Sequence, residues 1–176
     1  MMQSDALNVV MILADDLGCW ALGCLGNSEI RTPNLDQLAR DGIIFENFFC
    51  TSPVCSPARA SIATGRIPSQ HGVHDWIRAG DSAIEPLGNG ATIRFLDGFT
   101  STTELLAKAG YRCGLSGKWH LGDAVTPQQG YGYWRVHASG AGPYYNAPMI
   151  DGDGEIAREP RYVTDAITDN ALEFLD

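Results

Sequence analysis

The stretch "TSPVCSPARASIATGR", Thr51–Arg66, decides how this protein is read. A proline-punctuated approach ends at Cys55, and a short helix is predicted over 57–64. Ser56 is its candidate N-cap, Pro57 fills the first helical position, and Gly65 stops it. Cys55 therefore stands just ahead of a helix N-terminus, where orphan N–H groups and the helix dipole favour negative charge. Arg59 adds a fixed positive charge in the first turn. Simple packing, a fair reading of Cys113 in its own strand, suits Cys55 poorly.

Three active readings of Cys55 follow. A phosphatase cysteine would need an arginine at position 61, which is Ser61. A metal clip could be drawn from Cys19 and Cys24 with Cys50 and Cys55, but that spacing is looser than usual and leaves Arg59 without a role. The third reading makes Cys55 the precursor of another functional group.

Working outward, the chain alternates strand and helix. "NVVMILA" (8–14) is a continuous apolar run, read as a strand buried on both faces. "TPNLDQLARDG" (32–42) is a helix with Thr32 as cap and Pro33 in the first turn, and "IIFENFF" (43–49) reads as a second strand. Residues 67–100 form a long loop region. "TSTTELLAKAG" (100–110) is a capped helix and "YRCGLS" (111–116) a strand. Residues 122–160 are loop-rich. "VTDAITDNALEFLD" (163–176) is a helix with Ala166, Ile167, Ala171, Leu172 and Leu175 turned inward. This order predicts an α/β fold, a mainly parallel sheet flanked by helices. Ending on a helix, where a crossover would continue, it reads as incomplete.

The 176 residues carry 21 acidic and 12 basic side chains, a balance that argues against nucleic-acid binding. No run approaches the ~20 apolar residues of a membrane span. The N-terminus lacks the features of a signal peptide, so the chain as given reads as cytoplasmic, with export only from a longer precursor. Five cysteines do not suggest a disulfide scaffold.

Ligands of open α/β sheets bind beyond strand carboxyl ends. Asp15 and Asp16 stand there, and paired carboxylates suit a hard cation such as Ca²⁺ or Mg²⁺. Alone, the pair reads equally as a solvated turn. In "SGKWHLG" (116–122), Lys118 and His120 project to one face if the segment is extended. Together they can grip an oxyanion and exchange a proton with it, although alone they read as a surface lysine and a packed histidine.

Taken together, these segments resemble a known family. Cys55-Ser56-Pro57-Ala58-Arg59 with Thr64-Gly65-Arg66 looks like the signature of the type I sulfatases, formylglycine-dependent members of the alkaline phosphatase superfamily. Gly110-Tyr111 followed by Gly117-Lys118-Trp119-His120 resembles their second signature. "ILADDLG" and "RTPNLDQLARDG" are similar to their N-terminal segments. Ile62 stands where leucine is usual, and Cys113 where Thr or Ser is usual. Family members are far longer, so the resemblance identifies residues 1–176 with the N-terminal part of a sulfatase catalytic domain.

The resemblance implies an alkaline-phosphatase-like fold and hydrolysis of sulfate esters. It implies that Cys55 becomes 3-oxoalanine (formylglycine), made by a formylglycine-generating or sulfatase-maturating enzyme. Asp15, Asp16 and the converted Cys55 would hold the metal. Arg59 would hold the aldehyde hydrate, Lys118 a sulfate oxygen, and His120 would assist proton transfer. The "HGVHDWIR" loop (71–78) would line the pocket, with His74 and Trp76 meeting a glycan or small-molecule ester; a loop anchored by a buried tryptophan is the equal alternative. A phosphonate monoester or phosphodiester hydrolase with the same machinery is the nearest rival, and an inactive fragment that only folds and binds ligand is another. A Cys₄ zinc module is more remote.

Overall fold

The computed structural model describes residues 6–77 and 93–176. They divide into two units, meeting between Phe49 and Cys50.

In the N-terminal unit, Cys19–Ala21 and Gly23–Leu25 are 3₁₀ turns, and α1 spans Pro33–Asp41 as the sequence predicts. Thr32 stands at the N-cap, but its side chain ties loops together instead of capping the helix. Its Oγ1 accepts from the Gly23 N–H and donates to Asp36 Oδ1, both at 2.8 Å. Asp36 Oδ1 also accepts from the Cys24 N–H at 2.8 Å.

The two strands expected in this unit do not form. Residues 8–14 carry no strand pairing, and Val9 and Ile12 are 71% and 83% exposed. Residues 43–49 contain a turn at Glu46 and Asn47. Their composition suits buried strands, but a strand exists only when a neighbour satisfies its N–H and C=O groups. No described residue of this unit forms a strand.

The C-terminal unit opens with α2 (Cys55–Thr64) and the single turn α3 (Pro68–His71), followed after the undescribed stretch by α4 (Thr102–Lys108). Strands β1 (Gly114–Gly117), β2 (Tyr133–His137), β3 (Ala147–Ile150) and β4 (Ile156–Glu159) pair in that order, and α5 spans Val163–Leu175. Only β1 and β2 run parallel; the other two pairings are antiparallel. Where the sequence predicts mainly parallel pairing, these four strands are mixed, and connection length gives the reason. Residues 118–132 are long enough for a crossover, while 138–146 and 151–155 return the chain as hairpins.

β2, β3 and β4 lie inside the stretch expected to be loop-rich. Their signal was present in β2: Tyr133-Trp134-Arg135-Val136-His137 alternates, with Trp134 and Val136 fully buried between partly exposed neighbours. Trp134 meets Trp119 and Tyr131 with ring centroids 5.5 and 5.8 Å away, and its Nε1–H donates to the Ala124 carbonyl at 2.8 Å. Leu96, Leu121, Val136 and Ile150 complete this core.

α5 packs on the sheet partly through polar ties. Ser116 Oγ donates to the Ile167 carbonyl and the Tyr133 hydroxyl to the Asn170 carbonyl, each at 2.7 Å. Gly114 leaves room for the Phe174 ring: an added Cβ would lie 2.9 Å from three of its atoms. Val163 and Ala166 are buried as inward positions should be, but Leu172 and Leu175 are more than half exposed. The inward residue of the last turns is Phe174, because the glycine opposite it makes the space.

α4 has the reciprocal N-terminal cap its sequence encodes. The Glu104 N–H donates to Ser101 Oγ at 3.1 Å, and the Ser101 N–H donates to Glu104 Oε2 at 3.0 Å. Replacing fully buried Ser101 by alanine should cost about 1–2 kcal/mol in denaturant unfolding. Trp134→Ala should cost about 3–5 kcal/mol, since it leaves a cavity that the aromatic cluster cannot close.

Candidate active site

The site is built from the first turn of α2 and the segment that leaves β1. Helix α2 starts at Cys55, ahead of the predicted start, with Val54 as its N-cap. Ser56 is not the cap. Its side chain is fully buried, and its Oγ accepts from the Ile77 N–H at 3.3 Å. The half-buried Cys55 thus belongs to the first helical turn itself, where orphan N–H groups favour negative charge.

Arg59 lies one turn further along and projects from the same helix face as Cys55. Its Nη1 donates to the Lys118 carbonyl oxygen at 2.8 Å. This bond spans 59 residues and joins the signature helix to the chain leaving β1. The structure thus brings together Cys55, Arg59 and the backbone of Lys118.

The segment after β1 is not extended as expected. Gly117 has φ +120°, His120 has φ 57° and Gly122 has φ +103°. The chain turns sharply here and docks against residues 93–94, where the Asp123 N–H reaches the Ile93 carbonyl at 2.8 Å. Trp119 points into the aromatic core, while Lys118 is partly buried. His120 is 3% exposed, so it is a held ring and not a surface group. A non-glycine residue with positive φ costs about 1–3 kcal/mol and persists only where its surroundings fix it.

His120 Nε2 lies 2.9 Å from the Ile77 carbonyl. A carbonyl can only accept, so Nε2 carries the hydrogen, and Nδ1 is the nitrogen at which the neutral ring takes up a proton. Trp76 meets the imidazole edge-on, with centroids 5.9 Å apart and planes at 72°. Trp76 remains 49% exposed, so it walls the histidine without being buried as an anchor. His74 is exposed, and Arg78 lies outside the described residues.

His71 has a structural task that no sequence motif signals. It is 4% exposed. Its Nδ1 accepts from the Val73 N–H at 3.1 Å, and its Nε2 lies 3.0 Å from Ser61 Oγ. Ser61 Oγ also accepts from the Thr51 hydroxyl at 2.7 Å. This chain of contacts fastens both flanks of the signature helix. Burial holds the His71 pKa below its ordinary 6.5, nearby His74 pushes the same way, and the Pro57 carbonyl opposes them. An acceptor Nδ1 agrees with a neutral ring.

Asp15 and Asp16 belong to the N-terminal unit, where both are exposed in a bend and Asp16 has φ 56°. All five cysteines are free thiols.

Comparison with known proteins places this geometry in context. The family model described as Sulfatase matches residues 7–176. The chain is 34% identical over 174 residues to an N-acetylglucosamine-6-O-sulfatase of Bacteroides thetaiotaomicron, covering 96% of this chain and 27% of the relative. It is 41% identical over 130 residues to human steryl-sulfatase, covering 74% of this chain and 22% of that protein. A solved structure in complex with its substrate, D-glucosamine-2-N,6-O-disulfate, superposes with a TM-score of 0.71 at 33% identity, over 88% of this chain and 28% of that one. The chain therefore spans about a quarter of the length of such relatives.

A depressed His71 pKa means the unfolded chain takes up this proton first as the pH falls. The ring's contribution to stability is complete above 6.5 and is lost as the pH drops below that value. Melting temperatures between about pH 7.5 and pH 5 should fall more steeply for the parent protein than for His71→Asn. Parallel curves would contradict this assignment.

Proposed function

The chain belongs to the sulfatase family, and from that premise we propose that the protein it forms part of hydrolyses sulfate esters, with position 55 working as 3-oxoalanine and not as a thiol. The observation that carries this reading is the Arg59–Lys118 link, which holds the Cys55 helix end against the second signature. Helix N–H groups with two cationic side chains suit sulfate, which stays anionic throughout its transfer.

As an aldehyde hydrate, position 55 supplies one hydroxyl to attack sulfur and a second through which sulfate can be expelled. Arg59, on the same helix face, steadies that group and balances its charge. Lys118 binds a sulfate oxygen and offsets negative charge as the ester bond breaks. His120 takes up and returns a proton at Nδ1, because Nε2 is committed to the Ile77 carbonyl.

Asp15 and Asp16 are the residues we assign to a divalent cation, together with the oxygen at position 55. Adjacent carboxylates are hard oxygen donors that fit Ca²⁺ or Mg²⁺. A thiol does not fit that preference, whereas a hydrate oxygen does. Such a cation, when bound, favours ionisation of a neighbouring hydroxyl.

The substrate class we propose is a sulfated sugar, on the likeness to relatives named for or bound to such compounds. Trp76 supports this, since its half-exposed ring beside His120 offers a face to a pyranose or aryl group. His74 is assigned to the same pocket wall. The partner that this chemistry requires is a maturation enzyme that oxidises Cys55.

The test uses the full-length protein expressed with a maturation enzyme. The peptide Thr51–Arg66 should be lighter by about 18 Da than its cysteine form, and sulfate should be released from a 6-O-sulfated N-acetylglucosamine. Cys55→Ala and EDTA should each abolish release, and the 176-residue chain alone should not turn over. An active protein with unmodified Cys55, or one indifferent to Cys55→Ala, would overturn the reading.

A further inference from the structure

Gly140 follows β2 and is buried. Its φ lies outside the left-handed region that demands glycine, so its backbone would accept alanine. Space forbids it. A Cβ built at Gly140 would overlap Nε2, Cδ2 and Cε1 of the His120 imidazole. The ring edge that donates to the Ile77 carbonyl is therefore seated directly on the bare glycine.

The other sides of the ring are also occupied. Trp76 stands edge-on to it, and the Ile77 carbonyl receives Nε2–H at 2.9 Å. A methyl at 140 would press on the Nε2 edge of the ring, the edge that bonds Ile77. Releasing that bond removes the constraint that fixes the tautomer, and it leaves a buried carbonyl short of its donor.

We propose that Gly140 is a positioning residue for His120: its missing side chain is the slot that seats the imidazole so that Nε2–H bonds Ile77 and Nδ1 exchanges the proton. This assignment rests on the reading of His120 as a proton-transfer group, but the slot itself is a statement of packing and can be tested apart from turnover. Gly140 acts through His120 and need not touch substrate.

The experiment is a double-mutant cycle of Gly140→Ala and His120→Ala in the full-length, matured protein, with three readouts. The first is kcat and KM on 4-nitrophenyl sulfate. Gly140→Ala should lower kcat by roughly tenfold to a hundredfold, as small displacements of catalytic groups do, with KM little changed. In the His120→Ala background it should change kcat by less than about twofold. The second is the ¹⁵N shifts of the His120 ring, which should report the Nε2–H tautomer in the parent and a mixture in Gly140→Ala. The third is the melting temperature: Gly140→Ala should destabilise the parent and cost much less once His120 is alanine, because removing the ring empties the slot.

Gly132→Ala serves as the control, since its Cβ meets nothing within 4 Å and should leave all three readouts unchanged. If Gly140→Ala is too unstable to assay, the recovery of stability in the double variant decides the matter. An equal loss of stability in both backgrounds, unchanged ring shifts, or an unchanged kcat would overturn the proposal. If the parent protein hydrolyses no sulfate ester, the assigned reaction falls, while the ring shifts and the stability cycle still decide the role of Gly140.

Discussion

The hydrogen bond from Arg59 to the Lys118 carbonyl is the constraint on which the rest of the site depends. It closes a loop of 59 residues with a charge-assisted donor, the stronger class of hydrogen bond. It joins α2 directly to the chain leaving β1, beside the Ile77 backbone, whose N–H reaches Ser56 and whose carbonyl receives His120. With it, the N-terminal turn carrying Cys55 faces a segment that offers a lysine and a histidine. Because the link ends on a backbone oxygen, it fixes where the Lys118 backbone lies.

Beyond Lys118, geometry is set by what is missing from the chain as much as by what is present. Gly117 and Gly122 take positive φ without penalty, but His120 takes it as an ordinary L-residue. The surroundings hold it there: Trp119 on one side is locked into the aromatic core, and the His120 ring is walled by Trp76, Ile77 and Gly140. A strained backbone and a buried, singly oriented imidazole suit a group that must present one nitrogen in one place.

Much of this was legible in the residues. Helix α1 was marked by Pro33, α4 by its capped-helix pattern, and α2 by Pro57 and Gly65; all are local signals, resolved by local chemistry. The ordered signatures at 55–66 and 110–120 were specific enough to name the family, and the family match over residues 7–176 agrees. Other readings failed where the deciding partner was distant. Ser56 looked like a cap, but the Ile77 N–H claims its hydroxyl. Residues 8–14 and 43–49 have strand composition, but β-structure needs a neighbouring strand, and none forms among the described residues of their unit. Residues 133–137 alternate in burial inside a stretch read as loop-rich.

The sequence by itself determined which chemistry is available: a cysteine at a helix start, an arginine one turn on, a lysine and histidine after a strand, and a pair of adjacent aspartates. Those depend on side-chain identity and short spacing, which any reader of the chain can see. Tertiary structure alone decided which nitrogen of His120 carries the proton, why position 140 is glycine, and what Ser61 and His71 do for the signature helix. Each of these is set by a contact across 10 to 43 residues. The cause in each case is a backbone carbonyl, a hydroxyl or an absent Cβ, and no residue letter announces such a contact until the fold has placed it.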